Sequence, residues 1–190
     1  MTSGGLRTPD VLMRAIYPED AAFVYMLALN NQWSFRWCIT SVLPGIELFA
    51  SRVWHWTVGR FLLLLPSGEA AGLVVLHNTD GSEDFRTLDI VFADWEFGIR
   101  AFGPVSEVCF DYFFGVSRIN KIYVDLPDSL HSAVHHRLPD YLHQEGRIKE
   151  YYFLNGHYED RIISSAFFED WASTRKSGEA MAASQLDRPQ

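Results

Sequence analysis

The sequence predicts an α/β (α+β) fold, a mixed and mostly antiparallel sheet of about seven strands flanked by about four helices. Three observations carry that expectation. Apolar, strand-length segments over 60–65, 71–77 and 85–93 are joined by the turns Pro66-Ser67-Gly68-Glu69 and Thr79-Asp80-Gly81-Ser82, which marks consecutive hairpins. From Gly103 to Gly115 the apolar residues Val105, Val108, Cys109, Tyr112 and Phe113 recur at i, i+3, i+4, i+7 and i+8, the spacing of an amphipathic helix. Near the C-terminus, Asn155-Gly156 joins two apolar runs as a hairpin turn.

The elements follow in order. Leu12 to Ile16 is a short apolar strand ended by Pro18, and Asp20 is placed to cap a helix from about Ala21 to Asn30. An aromatic stretch follows, with Trp33, Phe35 and Trp37, and Pro44-Gly45 breaks the chain before a second helix over 46–54. The three hairpin strands come next, then the helix from Gly103. Lys121 to Leu126 is a strand, and Ser129 to Leu138 a helix cut by Pro139. Arg147 to Leu154 and His157 to Phe168 are the last two strands. Residues 1–10 read as a flexible lead-in, 11–172 as one domain, and the small, polar segment 173–190 as a disordered tail.

Composition narrows the function. Of 190 residues 48% are hydrophobic and 15% aromatic, enough for a real core. Sixteen basic residues against 24 acidic leave a net charge of −8, which argues against coating nucleic acid. Cys38 and Cys109 are far apart and form neither a disulfide framework nor a zinc motif; they read as buried thiols of a cytoplasmic protein. The longest apolar run, Phe61 to Leu65, is too short to span a bilayer.

Three local segments carry a resemblance. Leu12-Met13-Arg14-Ala15 with Asp20, Glu145-Gly146-Arg147-Ile148-Lys149-Glu150, and Leu154-Asn155-Gly156-His157-Tyr158-Glu159-Asp160 resemble, in order, the "LRp…eD", "EGxxrE" and "xNGxyxD" segments of the GNAT (GCN5-related N-acetyltransferase) superfamily, in its ribosomal-protein-alanine-acetyltransferase-like branch. The resemblance covers about residues 12 to 171. It implies an enzyme that moves an acyl group from a thioester to a primary amine of a small molecule or peptide, with acyl-CoA as co-substrate and no metal. It also implies a diphosphate held on backbone N–H groups at a helix N-terminus.

The donor site departs from that pattern. Arg100-Ala101-Phe102-Gly103-Pro104-Val105 stands where the family has Arg/Gln-x-x-Gly-x-Gly/Ala. Arg100 and Gly103 match, Pro104 has no N–H, and Val105 replaces a small residue. Leu130 stands where the family has an Asn, Arg137 where it often has a Tyr, and Tyr141-Leu142 where it has Gly-Phe. Three donor readings stay open: acyl-CoA held by Arg100, Ala101, Phe102, Gly103 and Val105; an aminoacyl-tRNA or acyl carrier protein; or a binding protein without catalysis. Erosion confined to the donor site favours specialised biosynthesis over a housekeeping role.

The candidate base is Asp89 on the third hairpin strand, either taking the proton of the acceptor ammonium or standing on a solvated sheet face; Glu83 and Asp84 are rivals nearer the turn. Trp33, Phe35 and Trp37 either line an apolar acceptor site or pack the core. His131 and His135 have the i, i+4 spacing of two metal ligands, with no third ligand evident. Sheet edges of this fold often pair, so a homodimer is a further expectation.

Overall fold

The computed structural model describes residues 6–31, 35, 43–55, 57–78 and 84–186. Trp33, Trp37, Cys38 and Glu83 lie outside them. Seven strands form one sheet in the order β1-β2-β3-β4-β5-β7-β6, with β1 Leu12–Ala15, β2 Thr57–Leu64, β3 Ala70–His77, β4 Phe85–Phe92, β5 Lys121–Pro127, β6 Leu142–Leu154 and β7 His157–Phe167. Among the described residues five α-helices accompany them: α1 Ala21–Asn30, α2 Ile46–Arg52, α3 Trp95–Val116, α4 Asp128–Val134 and α5 Phe168–Leu186. Every neighbouring pair is antiparallel except β4 and β5.

That parallel pair positions the site. Its ladder covers only Phe85 to Thr87 against Lys121 to Tyr123. Beyond it β4 runs on to Phe92 and β5 to Pro127, unpaired with one another. One face of the sheet carries the larger core, where Leu76, Leu88, Ile90, Ile122 and Val124 meet Phe102, Phe110 and Phe113 of α3. On the opposite face Leu73, Val75 and Val91 meet Val24 and Leu27 of α1 and Phe49 of α2. Phe35 belongs to this second core, fully buried with its ring 6.0 Å from that of Phe49.

The resemblance segments are built into this scaffold. Arg14 makes a two-pronged ion pair with Asp20, at 2.8 Å on each arm, and Asp20 also accepts from the Tyr17 N–H. Asp20 stands at the N-cap position of α1 as expected, but its side chain turns back toward β1 and makes no capping hydrogen bond. At the other end, Asn155 and Gly156 both have positive φ, as a tight two-residue hairpin turn demands. Asp160 accepts from the Glu150 N–H at 2.9 Å and the Arg147 Nε at 2.7 Å, pinning the bulge in β6.

Three boundaries differ most from the sequence expectation. The helix expected from Gly103 begins at Trp95, because Asp94 caps it there and its apolar face carries the chain through Gly98, Gly103 and Pro104. The strand expected from Arg147 begins at Leu142. The expected disordered tail is corrected over 173–186, which continue helix α5. Trp171 of α5 packs on Phe114 and Phe168, and donates through Nε1 to Asp111 at 2.8 Å.

Candidate active site

Strand alternation places His77, Asp89, Asp125 and Arg161 on one face of the sheet, the face that carries α1 and α2. His77 ends β3 and Asp89 lies mid-β4, one step diagonally away in the ladder. Their Nε2 and Oδ2 atoms are 2.7 Å apart. The His77 side chain is only 4% exposed and that of Asp89 13%, so the carboxylate is the member of the pair that solvent reaches.

A second pair stands beside it. Asp125 of β5 accepts from the Arg161 guanidinium of β7. Arg161 also donates to the Tyr151 hydroxyl at 3.1 Å and lies over that ring. Burial raises the Asp125 pKa above the usual carboxylate value, against the opposing pull of Arg161, and Asp125 senses both Asp89 and His77. Burial likewise raises the Tyr152 phenol, whose charged neighbours are Arg161, Asp125 and Asp89. The cluster is thus one electrostatic unit at the point where β4 and β5 separate.

A third pair borders it. Lys121 meets Glu145 at 2.5 Å, Ser165 donates to the same oxygen at 2.7 Å, and the Lys121 ammonium lies over the Tyr123 and Phe167 rings. The hydrogen bond from Lys121 holds the Glu145 pKa below its ordinary value.

On the donor side, the structure places the candidate residues within a helix. Arg100, Ala101, Phe102, Gly103 and Val105 lie inside α3, not in a loop before it. Their N–H groups face into the helical ladder, and Ala101, Phe102, Gly103 and Val105 are buried. Gly103 has a packing role. A Cβ there would stand 2.2 Å from the Arg137 carbonyl oxygen, so only glycine lets α3 meet the turn after α4.

The true N-terminus of α3 is at Trp95. Asp94 Oδ1 accepts from the Phe97 N–H at 2.7 Å, and Glu96 adds a second carboxylate to the first turn. These anions occupy the place where a helix end would attract a diphosphate. The site is therefore a poor fit for the diphosphate of coenzyme A. The nearby cavity, lined by Ile90, Val91, Phe92, Trp95, Phe102 and Leu130 among others, holds about 30 Å³. That is room for about two waters.

Farther along α3, a cleft of about 310 Å³ is lined by Arg100, Gly103, Pro104, Glu107 and Arg137. His131 and His135 stack at 5.9 Å, and burial and His135 lower the His131 pKa. Among the described residues no group of three His, Cys, Asp or Glu side chains is arranged to hold a metal. Among them, too, no helix is long and apolar enough to cross a membrane.

Of the sequence candidates, the structure brings Asp89 into the cluster and leaves Phe35 in the core and Arg100 on the opposite side of the sheet. Sequence reasoning missed His77, Asp125 and Arg161. The available signal was an ionisable residue inside an otherwise apolar strand, as in Ile122-Tyr123-Val124-Asp125-Leu126.

No protein-family profile and no curated protein matches this sequence. Solved structures do match. The Vibrio cholerae spermidine N-acetyltransferase SpeG in complex with CoA and spermine superposes with a TM-score of 0.69 at 20% identity, over 87% of this chain and 99% of that one. The spermidine/spermine N-acetyltransferase SpeG from the same organism, in complex with manganese ions, gives 0.70 at 19%, over 87% and 96%. A chimera of that enzyme with hSSAT gives 0.66 at 20%, over 86% and 99%. At this identity the likeness establishes the architecture: the chain has the GNAT fold.

Proposed function

We propose that this chain is an N-acyltransferase that moves an acyl group from a thioester to the primary amine of a small molecule or peptide, in specialised metabolism. The observation that carries the reading is the Asp89–His77 pair at 2.7 Å, seated where β4 parts from β5. A mostly buried carboxylate that solvent still reaches is suited to take a proton from an ammonium group, and a buried imidazole fixes its orientation. The net charge of −8 favours a cationic acceptor over an anionic one. Polyamines, which the structural neighbours' names specify for those enzymes, are the first acceptors to try.

The chemistry balances simply. Asp89 removes one proton from the acceptor ammonium, leaving a nucleophilic amine. The amine nitrogen bonds to the thioester carbonyl carbon, the carbon–sulfur bond breaks, and the electron pair leaves on sulfur. The second nitrogen proton neutralises that thiolate. Orientation of the two reactants supplies much of the acceleration such transfers need.

The test is direct. The purified chain is incubated with acetyl-CoA or with acetyl-pantetheine, each against a panel of primary amines that includes spermidine and spermine, and amide products are counted by mass spectrometry. Protein-dependent amide with any amine supports the reading. Only background acylation across both thioesters and the whole panel sinks it.

A further inference from the structure

We propose that this chain holds the phosphate of its ligand in the cleft between Arg100 and Arg137, and not at the N-terminus of α3. The proposal takes its ligand class, a phosphorylated thioester carrier, from the acyl-transfer reading above.

Two independent observations converge. The first is closure of the expected site: Asp94 accepts from the Phe97 N–H, Glu96 stands beside it, and no basic residue lies in that first turn. A phosphate approaching there meets two carboxylates, and like charges in contact are strongly disfavoured. The second is the cleft. Arg100 projects from α3 and Arg137 from the turn after α4, and both line the same space of about 310 Å³. Among the described residues neither guanidinium has a carboxylate partner. In a chain of net charge −8, two arginines without ion pairs line one space, and the Arg100 guanidinium also lies 6.0 Å from the Phe97 ring centroid.

The juxtaposition is built in. Arg137 reaches this position because its backbone carbonyl packs against Gly103, where any side chain would collide. Its Nε donates to His136 at 3.1 Å, leaving its terminal nitrogens for a ligand. Pro104, on the cleft wall, presents no N–H, so recognition falls to the side chains. Planar guanidiniums bind phosphate oxygens in pairs, and each such charged contact commonly contributes tenfold or more in affinity. Glu107 also lines the cleft and offsets one of the two positive charges, so the lining suits a single phosphate better than a bulky polyanion.

The phosphate has two sources, coenzyme A itself or the 4′-phosphopantetheine arm of a carrier protein. Titration calorimetry with pantetheine, 4′-phosphopantetheine, dephospho-coenzyme A and coenzyme A separates them. The expected result is that the wild type binds 4′-phosphopantetheine at least tenfold tighter than pantetheine. The double variant Arg100→Gln/Arg137→Gln loses that preference while keeping its circular dichroism and melting temperature, and Asp94→Ala keeps the preference. Coenzyme A binding no tighter than 4′-phosphopantetheine identifies a carrier-type arm. Coenzyme A binding tenfold tighter than dephospho-coenzyme A identifies its 3′-phosphate as the occupant. Equal affinity for phosphorylated and unphosphorylated ligands overturns the proposal, as does a preference that survives the double variant. Unchanged KM for acetyl-CoA in the double variant removes the cleft and leaves acyl transfer standing. A phosphate preference lost in the double variant, with no acyl transfer from any donor, keeps the cleft and removes the acyl-transfer reading.

Discussion

Asp89 reaches His77 diagonally across the β3–β4 ladder, carboxylate to imidazole at 2.7 Å, and only the carboxylate end meets solvent. Asp89→Asn is expected to lower kcat by about a hundredfold, the scale of one general base, with little change in melting temperature. His77→Gln, which disturbs the orientation of Asp89 without removing it, is expected to lower kcat less. Steady-state kinetics on both variants checks this, and an unchanged rate for Asp89→Asn removes that residue from the mechanism.

The Asp125–Arg161 pair makes a pH-dependent prediction. Arg161→Met leaves Asp125 ionised without a partner, and the cost is about 2 kcal/mol at pH 7 for a pair that is largely but not wholly buried. Burial already raises the Asp125 pKa, and loss of the guanidinium raises it further. An acid whose folded pKa exceeds its unfolded one favours the fold when protonated, so the variant regains stability as pH falls. Urea unfolding of wild type and variant is expected to show a smaller difference at pH 4.5 than at pH 7. Equal differences at the two pH values would mean that the charge of Asp125 plays no part.

Gly103→Ala separates packing from ligand binding. The new Cβ collides with the Arg137 carbonyl oxygen, which is backbone and cannot swing aside. A loss of about 1–3 kcal/mol is expected, read as a fall of several degrees in melting temperature. If stability is untouched, the close approach of α3 to the turn is not what the glycine is for.

Trp171 reports on the last helix. Its ring covers Phe114 and Phe168 while Nε1 donates to Asp111, and Arg175 pairs with the same carboxylate at 2.6 Å. Trp171→Ala is expected to cost about 2 kcal/mol in chemical denaturation, less than for a fully buried ring. A chain ended after Phe167 is expected to be destabilised at least as much, and one ended after Ser177 hardly at all.

Much of the fold was legible because its signals are local. Hairpin turns, strand alternation and the Asn155-Gly156 turn each act within a few residues. The segments that carry the family resemblance turn out to be braces: Arg14 to Asp20, Asp160 to the β6 bulge, Glu145 to Lys121. They identify architecture and say little about chemistry. The start of α3 was misplaced because Gly98, Gly103 and Pro104 are helix breakers by local preference, and tertiary packing of the apolar face overrides them. The site partners were hidden for a different reason. Asp125 alternates with apolar neighbours as a solvated residue does, Arg161 ends the polar run Glu159-Asp160-Arg161, and only the pairing of β5 with β7 brings them together.

The brevity of the β4–β5 ladder has a mechanical consequence. The sheet is two leaves, one of four strands and one of three, stitched along a three-residue spine and otherwise clamped by α3. The cavity at the end of β4 is only about 30 Å³ and is bordered by Phe102 and Leu130, so on the acyl-transfer reading an entering donor arm displaces those contacts. Intrinsic affinity is then reduced by the work of opening. Substitutions that trim those two side chains are expected to lower that work while weakening the empty protein.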